Sequence, residues 1–595
     1  MSKKHQGAAP LAIWNKQGKF EKLDGTSFIP LGGIYANFIC IDWAGIEPGQ
    51  TRLSSMSPFG GGGRIIEFQD ATDAQLRQWL RWLRGESMNY LRMFCRGEMG
   101  QNQDPLDVCG KVNMPLWEKT RHFMDLCYQE GIAIHFVIVP EPRCSVYMSH
   151  GVTRERALKC YTAQEISKLP EHRRRFLDLN EPRLTFDRFF TDRDALQCHL
   201  DYLNELATLL RGHPALMCIE VYNEQQWTNH FYWRAHNKEV KWTATLVQHL
   251  HKLFPGVPVT CSFAGFGVAA QDPLLWIDAI PMDFFSPHAY QGLTGVSDRV
   301  DFAIMLDMVM NYSQGERPTM FGECSPGHFP GGHRAVEARL LVRDLAWFAL
   351  LNNCPGLGMW QDMGHGEFDI PRKVMESIDF AHFRPARPTI MGDMSRHVKF
   401  FHALERRPSK RCHLPEDVWC PHRGHVGRNG RIEEEDHEAE HRYCVKMASR
   451  ELAELHEFAR FAISNGISYG LTRHPKKAGK TWDLRHIGTH HLPDLYRPFV
   501  PPRGYHVKYL SSADGGVHVV YLRNFVYQKI GKDAGRRKGE PAAVAQQIAL
   551  KDEGTFDVEV WNLDTKVMTT RTCQAKDTIA LGVTNDDYVL VLRKR

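Results

Sequence analysis

Apolar positions in the first two-thirds of the chain alternate between two rhythms. Short runs, apolar nearly throughout, begin at Phe28 (FIPLGGIYANF), Met88 (MNYLRMF), Ile132 (IAIHFVIV), Ala215 (ALMCIEVY), Val257 (VPVTCSF), Met282 (MDFFSPHAY), Pro318 (PTMFGE) and Gly356 (GLGMW). These read as strands. Between them lie segments with helical spacing. TDAQLRQWLRWLR puts Leu76, Trp79, Leu80 and Leu83 on one face, with Thr72 as N-cap and Gly85 as stop. Further helices are predicted up to Gly131 and over Asp194–Leu210, Val240–Phe254, Asp298–Tyr312 and Arg334–Leu351. Strands that are apolar throughout, alternating with helices, belong to a parallel sheet buried on both faces. Eight such units in about 350 residues predict an α/β fold, a closed (β/α)₈ TIM barrel with loop insertions. A doubly wound open sheet is the alternative, but no G-x-G-x-x-G follows the first strand.

After about Glu405 the chain becomes charged, His-rich and turn-rich, and LAELHEFARFAISNGISYGLT then predicts a helix, a Gly stop and a short strand. From about Gly504 the period drops to two in YHVKYL, VHVVYLRNF, FDVEVWNL, KVMTTRT and DYVLVLRK, separated by turn signals such as SADGG and TNDD. A small terminal β-sandwich is expected. The chain is thereby divided into an N-terminal extension (1–27), the barrel (28–405), a charged insertion with an αβ connector (406–503) and the sandwich (504–595).

Composition narrows the function. The 595 residues are 43% hydrophobic and 24% charged, enough for more than one core. Lys and Arg number 74 against 69 Asp and Glu, a net +5 with no basic patch, which argues against a dedicated nucleic-acid binder. The 15 cysteines are scattered without C-x-x-C pairs, and several sit inside apolar runs as small buried hydrophobes. No signal-type apolar region opens the chain and no stretch approaches ~20 apolar residues. A cytoplasmic protein with reduced thiols and no membrane partner is expected. The pattern does not speak to oligomeric state.

In a barrel, chemistry sits where strands end at the C-terminal face. Strand four ends in Tyr222-Asn223-Glu224 and strand seven in Gly322-Glu323. Two facing carboxylates are the minimal machinery for glycoside hydrolysis, one protonating the leaving oxygen, the other attacking or guiding the anomeric carbon. Either glutamate alone is more simply an ordinary polar strand end. Their company shifts the balance. Arg92 on strand two can keep a nucleophilic carboxylate ionised. His288 and Tyr290 end strand six, where a tyrosine hydroxyl can reach the strand-seven glutamate. Trp360 ends strand eight, and its flat face suits a sugar ring.

This pattern resembles the retaining glycoside hydrolases built on a (β/α)₈ barrel with acid/base on strand four and nucleophile on strand seven, a group that includes cellulases, mannanases and β-galactosidases. The resemblance covers roughly residues 28–405 and rests on motifs. It implies Glu224 as acid/base, Glu323 as nucleophile, Asn223 as donor to the sugar 2-hydroxyl, and β-linked substrates. It further implies double displacement without a cofactor, with carboxyl groups about 5–5.5 Å apart. IEVYNE departs from the pattern by lacking a tryptophan just before Asn223. It also adds Glu220, which by strand alternation shares the inward face with Glu224, one layer deeper, as a partner for a buried arginine.

Other signals are ambiguous. Trp227 fits a subsite beyond the leaving group or simple packing. Gln361, Asp362, His365 and Glu367 follow strand eight as possible hydroxyl-binding groups, and Asp42 and Trp43 follow strand one. Glu141 and Arg143, at the end of strand three, are expected to pair with each other or with water. Cys412, His413, Cys420, His422 and His425 match no standard zinc frame, so a solvated insertion without metal is expected, and His490-His491 is weaker still. Absence of G-x-S-x-G and G-x-x-x-x-G-K-[ST] disfavours serine-hydrolase and NTPase chemistry. Two other classes stay open: a non-catalytic carbohydrate-binding barrel and a metal-dependent hydrolase.

Overall fold

The computed structural model describes residues 8–35, 38–40, 65–67, 71–94, 114–139, 158–159, 161–179, 190–224, 236–263, 280–290, 317–325, 335–360, 366–378, 383–385, 469–473, 482–487, 499–500, 505–512, 514–524, 545–550, 554–574, 577–583 and 586–595. Eight strands line up as the apolar runs predict: β1 (Leu31–Tyr35), β2 (Tyr90–Phe94), β3 (Ala133–Val139), β4 (Leu216–Tyr222), β5 (Val259–Thr260 and Ser262–Phe263), β6 (Ser286–Tyr290), β7 (Glu323–Ser325) and β8 (Leu357–Trp360). Strands β8, β1, β2, β3, β4 and the first piece of β5 pair in that order, all parallel. The second piece of β5 pairs with β6, and β6 with β7. A parallel bridge between Phe321 and Leu357, with the Gly358 N–H donating to the Phe321 carbonyl at 2.8 Å, joins β7 to β8 and closes the ring. The barrel is therefore complete within the described backbone.

Helices α1 (Asp73–Gly85), α2 (Met114–Gln129), α3 (Ala163–Ser167), α4 (Glu171–Leu179), α5 (Arg193–Leu210), α6 (His236–Leu253), α7 (Ala335–Leu351) and α8 (Asp369–Glu376) accompany it. The helix predicted over Asp298–Tyr312 lies outside the described residues. Helix α1 starts as its sequence dictates: Thr72 Oγ accepts from the Gln75 N–H while the Gln75 side chain accepts from the Thr72 N–H, a capping box. Helices α1, α2 and α7 end by one device. Ser87, Gly131 and Asn353 take left-handed backbone, at φ 63°, 70° and 63°. The N–H that follows each reaches back five residues, Met88 to Leu83, Ile132 to Cys127 and Cys354 to Ala349. Each turn delivers the chain directly into the next strand.

The lower end of the barrel is sealed. Tyr90, Ala133, Cys218, Phe284 and Met320 form a core there with Ala12 and Phe20. Those two come from an antiparallel hairpin, Ile13–Trp14 with Phe20–Glu21, so part of the expected N-terminal extension is a plug. The opposite end, where β4 and β7 deliver their glutamates, is left for chemistry. Seven described cysteines are free and buried. Among the described residues no helix is long and apolar enough to cross a membrane.

The C-terminal part carries an antiparallel sheet in the order Phe383–Pro385, β9 (Tyr505–Ser512), β10 (Val517–Asn524), β13 (Tyr588–Lys594), β11 (Thr555–Asn562), β12 (Val567–Gln574). A second small sheet of Phe499–Val500, Ala545–Leu550 and Thr578–Val583 contributes Ile579 to the core that Val520, Phe556 and Leu590 build. Its two longer strands are not marked by the period-two runs. In the connector, Tyr469–Arg473 pairs with Trp482–Ile487, while the helix expected before it lies outside the described residues.

The main C-terminal sheet docks on α7. Trp347 stacks on Tyr521 with ring centroids 5.9 Å apart, and the Tyr521 hydroxyl donates to Asp344 at 2.7 Å. Arg343, with no exposed surface, donates to Glu367 (2.8 Å), Asp564 (3.1 Å), Asp587 (3.0 Å) and the Leu563 carbonyl (3.1 Å). Glu367, a possible sugar-binding group by sequence, is instead spent on this ion cluster. Replacing Arg343 by alanine takes the nearest cation from the buried Glu367 and Asp587, and should cost about 3–5 kcal/mol in urea unfolding. A loss below about 1 kcal/mol would show that the docking does not depend on the cluster.

Candidate active site

The site grows from one side chain. Arg92, at the middle of β2, points into the barrel and is fully buried. Its Nε donates to Glu220 Oε2 at 2.7 Å and its Nη2 donates to Glu220 Oε1. Nη2 also reaches Asn223 Oδ1 at 2.7 Å, and Nη1 donates to Glu323 Oε1 at 2.6 Å. The Phe94 ring lies 5.0 Å from the guanidinium carbon. Three side chains from β4 and β7 are thus gathered on one cation. Burial opposes the Arg92 charge, but the two carboxylates outweigh it and hold the guanidinium protonated.

Strand β4 bends to make this possible. Glu220 faces inward as alternation requires, but the pleat then breaks. Tyr222 turns its ring against Trp242 of α6 at 5.5 Å, and Asn223 takes the inward place. Glu224 follows with φ 49°, left-handed backbone that a side chain seldom adopts. Ser262 of β5 supports the bend, its Oγ accepting the Glu224 N–H at 2.9 Å.

His288 of β6 links the two strand-end carboxylates. Its Nδ1 is 2.8 Å from Glu224 Oε1 and 3.3 Å from Glu323 Oε2. Burial drives the imidazole down to about 4, against the pull of Glu323, so it is neutral near pH 7. A neutral ring whose Nδ1 faces carboxylate oxygens carries its proton there as a donor. One oxygen from each glutamate and one His288 nitrogen lie within 4.8 Å of one another. That spacing would span a metal ion, yet Arg92 already supplies the positive charge at Glu323 and His288 Nδ1 is engaged with Glu224. The donor set suits a shared proton better than a cation.

Arg92, Asn223, Glu224, His288 and Glu323 therefore converge. Tyr290 and Trp360 are placed by backbone at the ends of β6 and β8, with side chains outside the described residues. Trp227, Asp42, Trp43, Glu141, Arg143, Gln361, Asp362, His365, His490 and His491 lie outside the described residues, as does the Cys/His group from Cys412 to His425. The sequence did not single out Ser262 or His135. His135 on β3 sits in an all-apolar run, which is the one signal that marked it as buried.

No protein-family model matches the sequence, and no curated protein is similar to it in sequence. Among solved structures it is similar to an endo-1,4-beta-mannanase from Eisenia fetida, at 15% identity over 61% of this chain and 95% of that one, with a TM-score of 0.36. A beta-mannanase from the blue mussel Mytilus edulis matches at 13% identity over 62% and 97% of the two chains, with a TM-score of 0.37. A glycoside hydrolase family 5 protein from Bacteroides vulgatus matches at 10% identity over 98% and 93%, with a TM-score of 0.45.

Burial lowers three barrel histidines, His288 to about 4, His199 to about 3, and His135 in the same direction. The unfolded chain takes up protons near pH 6.5 that these folded groups refuse. Their stability contribution is complete above that pH and is lost as pH falls toward the folded values. Between about pH 7 and pH 5, His288 should account for a loss of roughly 2 kcal/mol. Urea midpoints of wild type and His288→Asn across that range measure it; equal slopes would refute the assignment.

Proposed function

We propose that this chain is a retaining glycoside hydrolase that cleaves β-linked glycosides, with Glu323 as nucleophile and Glu224 as acid/base. One observation carries the reading. A Glu224 oxygen and a Glu323 oxygen lie within 4.8 Å of each other, with His288 between them. Carboxyl groups about 5–5.5 Å apart suit covalent displacement, whereas inversion needs about 6.5–9.5 Å to admit a water.

In the first step Glu323 Oε2 attacks the anomeric carbon, since Oε1 is held by Arg92 at 2.6 Å. The departing glycosidic oxygen takes the proton of Glu224, and a glycosyl-enzyme ester forms. In the second step Glu224 removes a proton from water, which attacks the same carbon and releases Glu323. His288, neutral and donating from Nδ1, holds the Glu224 carboxyl beside the reacting bond. Asn223 gives its carbonyl oxygen to Arg92 and so keeps its amide N–H groups for a substrate hydroxyl. Tyr290 at the end of β6 is read as a donor beside Glu323, Trp360 at the end of β8 as a sugar platform, and Trp227 as part of a subsite beyond the leaving group. The C-terminal sheets are read as a two-sheet sandwich whose role is to brace α7.

Glu224→Gln should lower kcat/KM on glycosides with poor leaving groups on the order of 10²–10⁴-fold, while aryl glycosides with good leaving groups still glycosylate the enzyme and give a burst. Glu323→Gln should abolish both. The first-formed sugar should keep its anomeric configuration by NMR, and chelators should leave turnover unchanged. Undiminished turnover in Glu323→Gln, or an inverted first product, would sink the reading. Glycan binding by wild type without turnover would favour the non-catalytic alternative.

A further inference from the structure

We propose that Glu220 is a positioning residue that aims Arg92 at Glu323 and, by balancing its charge, sets the pH window of the Glu224–Glu323 pair. The proposal rests on the double-displacement reading and deepens it.

Glu220 takes the side-on face of the guanidinium, the edge formed by Nε and Nη2. With that edge fixed, Nη1 is the group left facing β7, and it meets Glu323 at 2.6 Å. Behind Glu220 stands a buried chain of donors. The Tyr90 hydroxyl is 2.8 Å from His135 Nδ1, and His135 Nε2 is 3.0 Å from Glu220 Oε2. A neutral His135 whose Nδ1 accepts from Tyr90 carries its proton on Nε2, toward Glu220. Tyr90, His135, Glu220 and Arg92 are all without exposed surface, so bulk solvent does not screen the chain.

The groups around Glu220 leave a simple charge count. Arg92 and Tyr90 face it from β2, His135 from β3, Cys218 from its own strand, Cys261 from β5, His288 from β6 and Glu323 from β7. Burial keeps Tyr90, Cys218 and Cys261 protonated and the two histidines neutral. Burial also opposes the charge of Glu220, but Arg92 and His135 outweigh it and hold the carboxyl well below the usual range. The charges are then Arg92 positive, Glu220 negative, and the catalytic pair. Glu220 offsets part of the Arg92 charge felt at the pair. Glu323 and Glu224 are left to titrate as two near neighbours, with one proton between them over the working range. That singly protonated state is what double displacement needs.

Glutamine at 220 keeps the shape but removes the charge and turns an N–H toward an Arg92 N–H. Arg92 then bears on the catalytic pair uncompensated. In Glu220→Gln, both limbs of the kcat/KM–pH profile on aryl β-glycosides should move to lower pH by on the order of one unit. In Glu220→Asp, which keeps the charge but cannot span both guanidinium donors, kcat should fall with the limbs in place. Limbs unmoved in a folded Glu220→Gln variant, with kcat lowered equally at every pH, would make Glu220 merely structural and overturn the proposal.

Should Glu220→Gln fail to fold, Arg92→Lys compared with Arg92→Lys/Glu220→Leu carries the test, because a cation is kept beside Glu323 in both and only the second lacks the Glu220 charge. The acid limb of the double variant should lie on the order of one unit below that of Arg92→Lys. Coincident limbs would show that the Glu220 charge is not felt at the pair, and would overturn the proposal. Wild type that turns over the glycosides and is labelled on Glu323 by a fluoroglycoside inactivator keeps the glycosidase reading standing whatever Glu220 does. Wild type that does neither ends that reading on its own.

Discussion

A buried guanidinium at the centre of the barrel governs the arrangement around it. Placing an ion of that size in a dry interior costs several kcal/mol unless its donors are matched. Arg92 meets the requirement with Glu220, Asn223 and Glu323, drawn from β4 and β7. Neither strand neighbours the other, so the match is made only if the sheet curls until its far strands face each other. Closure of the ring at Phe321 and Leu357 and satisfaction of Arg92 are therefore one condition seen from two sides. Loss of either removes the reason for the other.

A second buried guanidinium shows the same physics at a junction between two modules. Arg343 is ringed by Glu367, Asp564, Asp587 and the Leu563 carbonyl, and these join α7 to the C-terminal sheet. Its partners span two modules, and their carboxylates are engaged in holding those modules together. Arg92 differs in that its second acid, Glu323, stands beside the partly exposed Glu224 with His288 between them. Both clusters are polar cores. What separates the two is where they lie: one joins α7 to the C-terminal sheet, the other sits where β4 and β7 end.

Much of this was legible in the chain, and the exceptions have physical causes. Eight apolar runs became eight strands because a parallel sheet under helices has no polar face to blur the signal. Glu224, Glu323, Arg92, Asn223 and His288 were visible because a polar residue inside or closing such a run needs a reason. Glu220 was read one layer down as partner of a buried arginine, and that arginine is Arg92. Alternation failed two residues later, where Tyr222 leaves the barrel for Trp242 and Asn223 replaces it; a pleat break of this kind has no mark in IEVYNE. Glu367 stayed ambiguous because a polar loop after strand eight looks alike whether it binds sugar or an arginine from α7. The strands Ala545–Leu550 and Thr578–Val583 escaped notice because AQQIAL and TIALGV lack clear alternation.

The glycine before Glu323 shows how tightly these choices are linked. A β-carbon on Gly322 would stand 2.3 Å from Ser286 Oγ and 3.0 Å from His288 Nε2, both fully buried atoms of β6. His288 cannot retreat, because its other nitrogen is held at 2.8 Å from Glu224. A side chain at 322 would therefore have to turn the Ser286 hydroxyl aside and press on the imidazole, or move β7 away from β6 and carry Glu323 off Arg92. The Gly-Glu pair that first marked β7 is thus two requirements in sequence: space for the histidine, then the acid it faces. A strand end chosen for polarity alone would need the second and not the first.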